Sequence, residues 1–131
     1  MFITLETDYA VRMVYLLAKE NRRLGATEIS EGTEVTQRFT LKILRKLVAG
    51  GVVKSFKGVS GGYELAKKPC EITLKDVVEI IEGPIMLSRC LGSDYVCNRY
   101  EHSKCYFNHK FDSISKIVAD ELEKTTFADA L

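Results

Sequence analysis

The chain has 131 residues, a formal net charge of +1, 46% hydrophobic and 28% charged residues, four cysteines and two histidines. That length suits one folded unit burying roughly two thirds of its unfolded surface. No apolar run approaches the roughly 18 to 20 residues of a membrane span, and Met1 to Asp8 has neither a basic region nor a cleavable apolar core, so a cytoplasmic protein that stays off the membrane is expected.

From Asp8 to about Lys19, Ala10, Met13, Val14, Leu17 and Ala18 recur at helical spacing, and Val11, Tyr15 and Leu16 widen the apolar surface. The pattern predicts a first helix that is nearly surrounded. Asn21-Arg22-Arg23-Leu24-Gly25 breaks it, and Thr27 is placed to cap a short second helix running to about Gly32. Thr36 then caps a third helix from Gln37 to about Val48, stopped by Gly50-Gly51. Helices in this succession, joined by a short turn, fit a helix-turn-helix unit.

The third helix indicates what such a unit binds. Phe39, Ile43, Leu44, Leu47 and Val48 are expected toward the core, while Arg38, Leu41, Lys42 and Arg45 line the other face. No acidic residue occurs between Val35 and Tyr63, whereas Arg38, Lys42, Arg45, Lys46, Lys54 and Lys57 are all cationic. One-sided charge of this kind attracts a polyanion, and double-stranded DNA is the expected partner. The N-terminal end of a recognition helix enters the major groove, which places Thr36, Gln37, Arg38 and Leu41 near base edges. Lys42, Arg45 and Lys46 are expected on phosphates, where they position the helix without reading sequence.

Val52 to Phe56 and Tyr63 to Ala66 have strand composition and flank Lys57-Gly58-Val59-Ser60-Gly61-Gly62, a hairpin with a basic tip. Its place after the third helix suggests a wing, with Lys57 reaching a phosphate or the minor groove. The loop lacks the G-x4-G-K-[ST] arrangement of a nucleotide cradle and opens no helix. Cys70, beside Pro69, is expected to be a buried small hydrophobe. Thr73-Leu74-Lys75-Asp76 matches a capping box and starts a helix through Val77, Val78, Ile80 and Ile81 to Gly83-Pro84.

Cys90, Cys97 and Cys105 follow with C-x6-C-x7-C spacing in a segment rich in turn-forming residues. In a reducing compartment such a cluster is more often a metal or redox site than a disulfide framework. Ferredoxin-type C-x2-C spacing is missing, and no catalytic grouping of Ser, His and Asp is suggested, so an enzyme is not expected. Beyond the loop, Phe107, Phe111, Ile114 and Val118, broadened by Ile117 and Leu122, form an apolar helical stripe. A terminal helix of this kind is expected to pair with its two-fold mate, a homodimer matched to a pseudo-palindromic operator. The expected organisation is therefore mainly α: a winged helix-turn-helix DNA-binding domain with a β-hairpin wing at 1–83, a cysteine-rich loop at 84–105, and a long C-terminal dimerisation helix at 106–131.

Leu5-Glu6-Thr7-Asp8-Tyr9-Ala10-Val11-Arg12, the wing run Ser55 to Ala66 and the three clustered cysteines together resemble the Rrf2 family of winged-helix regulators over essentially the whole chain. The resemblance implies a homodimeric transcription factor, expected to repress, whose iron–sulfur cluster, 4Fe–4S or 2Fe–2S, senses nitric oxide, oxygen or cluster supply and alters DNA affinity. It implies Cys90, Cys97 and Cys105 as cluster ligands. For the fourth ligand, some cluster-binding members use an aspartate of the partner subunit at the position matching Asp8, and others a histidine shortly after the third cysteine. Asp8 is favoured here because Thr7-Asp8-Tyr9 matches the context, whereas His109 lies at C-x3-H, one residue beyond the usual histidine spacing. A helix N-cap is the competing role for Asp8, and Glu101 and His102 are lesser ligand candidates. Two other readings stay open: a structural Cys3His zinc site using His109, and a thiol switch between two loop cysteines.

Overall fold

The structure is a computed structural model describing residues 3–99 and 104–131. Glu101 and His102 lie outside the described residues.

Helix α1 spans Leu5–Glu20, starting before Asp8 because Thr4 is the N-cap and its hydroxyl accepts from the Thr7 amide. Asp8 therefore sits in the first turn and does not cap the helix. Thr7, Ala10, Met13, Val14, Leu17 and Ala18 form the buried stripe, and Asn21 closes the helix in the left-handed conformation at φ 49°. Tyr15 is exposed, so α1 is surrounded on fewer sides than its composition predicts.

Helix α2 covers Ala26–Thr33, and its cap is Gly25 rather than Thr27: the Gly25 amide donates to the Glu28 carboxylate at 3.4 Å. Helix α3 runs Gln37–Ala49 from the Thr36 cap, and Gly51 at φ 79° turns the chain out of it. Ile43, Leu44 and Leu47 are fully buried. Phe39, read from sequence as core, is instead 42% exposed, while Thr40 is completely buried. Thr40 lies on the same stripe as Ile43, Leu44 and Leu47, and its hydroxyl reaches the Val35 carbonyl at 3.5 Å. A small side chain with its own acceptor fits there, and Phe39 is displaced to the rim, edge-on to Tyr9 with centroids 6.0 Å apart.

Strands β1 (Val53–Phe56) and β2 (Gly62–Leu65) pair antiparallel, with Val53 opposite Leu65 and Phe56 opposite Gly62. Leu24 adds a one-residue bridge to Tyr63 through backbone hydrogen bonds of 2.9 and 2.7 Å. Gly62, at φ 140°, makes that approach possible, since a Cβ there would lie 2.6 Å from the Leu24 carbonyl oxygen. Cys70 is exposed in a 3-10 turn at Pro69–Glu71, contrary to the sequence expectation; the proline-initiated turn runs along the surface.

Helix α4 (Leu74–Glu82) carries the expected capping box, Thr73 and Asp76 exchanging hydrogen bonds of 3.0 Å each. Helix α5 covers Tyr106–Lys124 and packs on α4. The chain then turns back through a 3-10 segment, Phe127–Ala130, whose Phe127 is buried in the main core with Met13, Leu17, Leu44, Ile72 and Val77. The tail of the expected dimerisation helix is thus part of the N-terminal core. Among the described residues the architecture is five α-helices and one two-stranded antiparallel sheet, a mainly helical winged helix-turn-helix fold, and no helix is long and apolar enough to cross a membrane.

The end of α4 is fastened to the start of α1. Thr4 and Thr7 donate their hydroxyls to the Glu82 carboxylate, and these two bonds hold its pKa below the ordinary 4.5. A depressed carboxylate pKa contributes stability that is present above the ordinary glutamate range and lost as pH falls through the lower, folded value. Thr7→Val is therefore expected to cost about 1 kcal/mol near neutrality and progressively less as Glu82 protonates, a trend that urea titrations at pH 7 and pH 3 would check.

Candidate DNA interface and cysteine centre

The exposed side of α3 presents Arg38, Leu41, Lys42 and Arg45, next to the open Thr36–Gln37 end. The lysines differ from the arginines. Glu6 of α1 lies 2.6 Å from the Lys46 ammonium and 3.9 Å from that of Lys42, so one carboxylate serves both. Lys42 also stands 5.5 Å from the Phe39 ring. Arg38, Arg45 and Lys57 have no ion-pair partner among the described residues, which leaves their charges directed outward. Lys57 is exposed at the wing tip beside Val59, whose side chain is wholly in solvent. Glu6 was not singled out from sequence; its i, i+4 lysine pair on a distant helix gives no local signal.

The cysteine segment is short of regular structure. Cys90 sits in a 3-10 turn, Arg89–Leu91; Cys97 lies in the following irregular stretch; Cys105 is the N-cap of α5. All three are partly exposed free thiols. Each sulfur receives a hydrogen bond. Asn108 Nδ2 lies 3.4 Å from Cys90 Sγ, the Arg99 amide donates to Cys97 Sγ at 3.4 Å, and the Asn108 amide donates to Cys105 Sγ at 3.5 Å. Ser88 Oγ is a further 3.1 Å neighbour of Cys90 Sγ. Asn108 thus touches two of the three sulfurs from one residue, and its role was not foreseen in the sequence.

Of the candidate fourth ligands, Asp8 lies on α1, while His109 is one helical turn from Cys105, its amide donating to the Cys105 carbonyl at 3.2 Å. Asp8 pairs with Arg12 at 2.8 Å on α1, and Arg12 also donates to the Thr33 carbonyl at the end of α2. His109 is exposed in the first turn of α5. Within a single chain, the described residues contain no group of three or more His, Cys, Asp or Glu side chains converged as for a metal ion. On α5, Phe107 and Ile117 are more than three-fifths exposed, and Phe111 and Ile114 are also exposed. The opposite side, through Ser115, faces the body of the protein, where the Ser115 hydroxyl accepts from the Leu87 amide at 2.9 Å.

A helix packed on the core by one face and presenting a basic face to solvent, preceded by a short helix and followed by a docked β-hairpin, defines a winged helix-turn-helix protein of the DNA-binding class. The chain belongs to the Rrf2 family: the family model, described as an iron-dependent transcriptional regulator, matches residues 3–131. A helix-turn-helix-type transcriptional regulator of Aquifex aeolicus (strain VF5) is 28% identical over 121 residues, covering 92% of this chain and 84% of the relative. The regulator NsrR of Shouchella clausii (strain KSM-K16) is 28% identical over 96 residues, covering 72% and 64%. The solved structure of CymR (YrzC), the global cysteine regulator of B. subtilis, matches with a TM-score of 0.78 at 25% identity, covering 99% of this chain and 95% of that one. The protein is accordingly a transcriptional regulator and not an enzyme.

Proposed function

We propose that this regulator binds a pseudo-palindromic operator as a homodimer, acts as a repressor, and holds an iron–sulfur cluster on Cys90, Cys97 and Cys105 that sets its DNA affinity. The observation that carries the reading is the donor set: three partly exposed thiols, each receiving a hydrogen bond, in a segment outside the hydrophobic core. Thiolates suit iron–sulfur clusters, and hydrogen bonds to the sulfurs tune their potential, so these residues fit the group. The family model's description as an iron-dependent regulator supports the same reading. A bound cluster supplies iron that reacts with nitric oxide or oxygen. Asp8 of the partner subunit is the favoured fourth ligand, with His109 the alternative; a hard carboxylate on thiolate-bound iron is the most readily exchanged.

The α5 face of Phe107, Phe111, Ile114 and Ile117 provides the dimer contact. Thr36, Gln37, Arg38 and Leu41 read base edges; Lys42, Arg45, Lys46 and Lys57 neutralise phosphates. Because half-sites stand about 34 to 36 Å apart, a small change in the placement of two α3 helices is enough to alter specific binding.

Iron and sulfide assays with the absorption spectrum of anaerobically purified protein test the cluster. Brown material with both elements supports it; colourless protein with zinc selects a structural Cys3His site, and operator affinity governed by peroxide and dithiol without iron selects a thiol switch. Asp8→Ala and His109→Ala in the same preparation separate the fourth ligands. On DNA, Arg45→Ala is expected to weaken binding to all sequences and to flatten the salt slope by about 0.9. Arg38→Ala is expected to lose about 1–3 kcal/mol of discrimination between bases, measured by competition with altered operators.

A further inference from the structure

The wing tip has little of its own to orient it. Gly58, Gly61 and Gly62 lie within it, Val59 contributes nothing to the core, and the turn carries one internal backbone hydrogen bond, from the Gly61 amide to the Gly58 carbonyl at 3.0 Å, so contacts from outside the hairpin matter to its order. The base of the hairpin is seated on the core through Val53 and Leu65, and two further attachments nearer the tip start from the segment between α1 and α2. The Leu24–Tyr63 bridge holds the start of β2, next to the turn. Arg23 holds the outer part: its guanidinium carbon stands 3.4 Å from the centroid of the Phe56 ring, it donates to the Ser60 carbonyl at 3.0 Å, and it pairs with Glu64 at 3.7 Å. One planar cation thereby touches the end of β1, the turn and β2.

We propose that Arg23 is a positioning residue for DNA recognition: it clamps the wing so that Lys57 is presented at a fixed distance from α3. The inference rests on the reading of Lys57 as a phosphate contact. The role needs the guanidinium specifically. Stacking on an aromatic face while donating to a carbonyl and pairing with a carboxylate is a combination that a lysine ammonium does not reproduce. Arg23 itself stays engaged inward and is not a DNA contact.

The experiment is a double-mutant cycle on the full-length protein with operator DNA, alongside backbone amide relaxation of the free protein. Lys57→Ala and Arg23→Ala are each expected to weaken binding about five- to tenfold, and the double variant no more than the worse single one, since an unclamped wing has already lost the contact. Arg23→Lys should behave like Arg23→Ala although it keeps the charge. The Val59 amide should become more mobile in both Arg23 variants while the thermal midpoint moves by only a few degrees. Multiplicative losses, or full rescue by lysine, overturn the clamp. If Lys57→Ala binds normally, the phosphate role of Lys57 fails, and the Val59 amide then decides the clamp: unchanged order in Arg23→Ala overturns it, and increased mobility upholds it.

Discussion

Replacing Cys90, Cys97 or Cys105 singly with serine is expected to give a folded, colourless protein that retains essentially no iron. Serine offers a hard alcohol oxygen that stays protonated at neutral pH, whereas a thiol ionises near pH 8.5 and matches the soft iron of a cluster. The fold tolerates the change because none of the buried core positions is a cysteine, and the three thiols are only partly covered. Substitutions at such places usually change stability by less than about 0.5 kcal/mol. Circular dichroism and thermal melts should therefore superimpose on those of the cluster-free parent while iron and sulfide vanish. Operator affinity of each variant should equal that of the apo-protein, which links the iron site to DNA binding without confusing it with unfolding. A serine variant that stays brown would remove that cysteine from the ligand set.

The parts legible in the sequence were those governed by local chemistry. Thr36 and Thr73 cap their helices as their spacing predicts, because capping needs only partners within one turn. The wing was legible from its glycines, and Arg38, Leu41, Lys42 and Arg45 do share the solvent face of α3. Errors arose where neighbouring elements decide. Thr40 displaced Phe39 because the Val35 carbonyl waits beside it, and Tyr9 of another helix gives Phe39 an aromatic edge on the rim. Thr4 took the cap from Asp8, whose carboxylate turned to Arg12. Glu6, Arg23 and Asn108 were invisible because their partners are tens of residues away in two of the three cases, and in the third the meaning of Asn108 depends on where Cys90 lands. The C-terminal turn did have a signal: Thr126-Phe127-Ala128-Asp129 repeats the capping-box spacing seen at Thr73, and the Thr126 amide donates to Asp129 at 2.8 Å.

The electrostatics of α3 connect these pieces. Glu6 belongs to the same first turn as Thr7 and Asp8, so the carboxylate paired with Lys46 moves with the residues that bind Glu82 and with the favoured cluster ligand. If Lys42 and Lys46 meet phosphates as proposed, a shift of that turn would change how much positive charge they offer. Arg38 and Arg45, without such a partner among the described residues, keep their charge irrespective of it.

Phe127→Ala is expected to be the most destabilising single change outside the central helices, at about 3–5 kcal/mol. Phe127 is only 3% exposed, and its amide donates to the Ile72 carbonyl at 3.0 Å, while the Leu74 amide donates to the Thr125 carbonyl at 2.9 Å. The side chain therefore closes the core from below while the backbone ties the end of α5 to the start of α4. Removing the ring leaves a cavity that two hydrogen-bonded strands of chain keep from collapsing, which places the cost toward the upper part of that range. Phe107→Ala, in the first turn of α5, is the informative contrast. Its ring is 67% exposed, so within one chain its loss changes stability by less than about 0.5 kcal/mol. If the α5 face is the dimer contact, however, Phe107→Ala should lower the denaturation midpoint more at low protein concentration than at high, since dissociation then contributes to unfolding. Phe127→Ala should lower it by a large step at every concentration. Urea titrations across a hundredfold range of concentration separate the two, and a Phe127→Ala protein as stable as the parent would mean that residues 125–131 do not dock on the core.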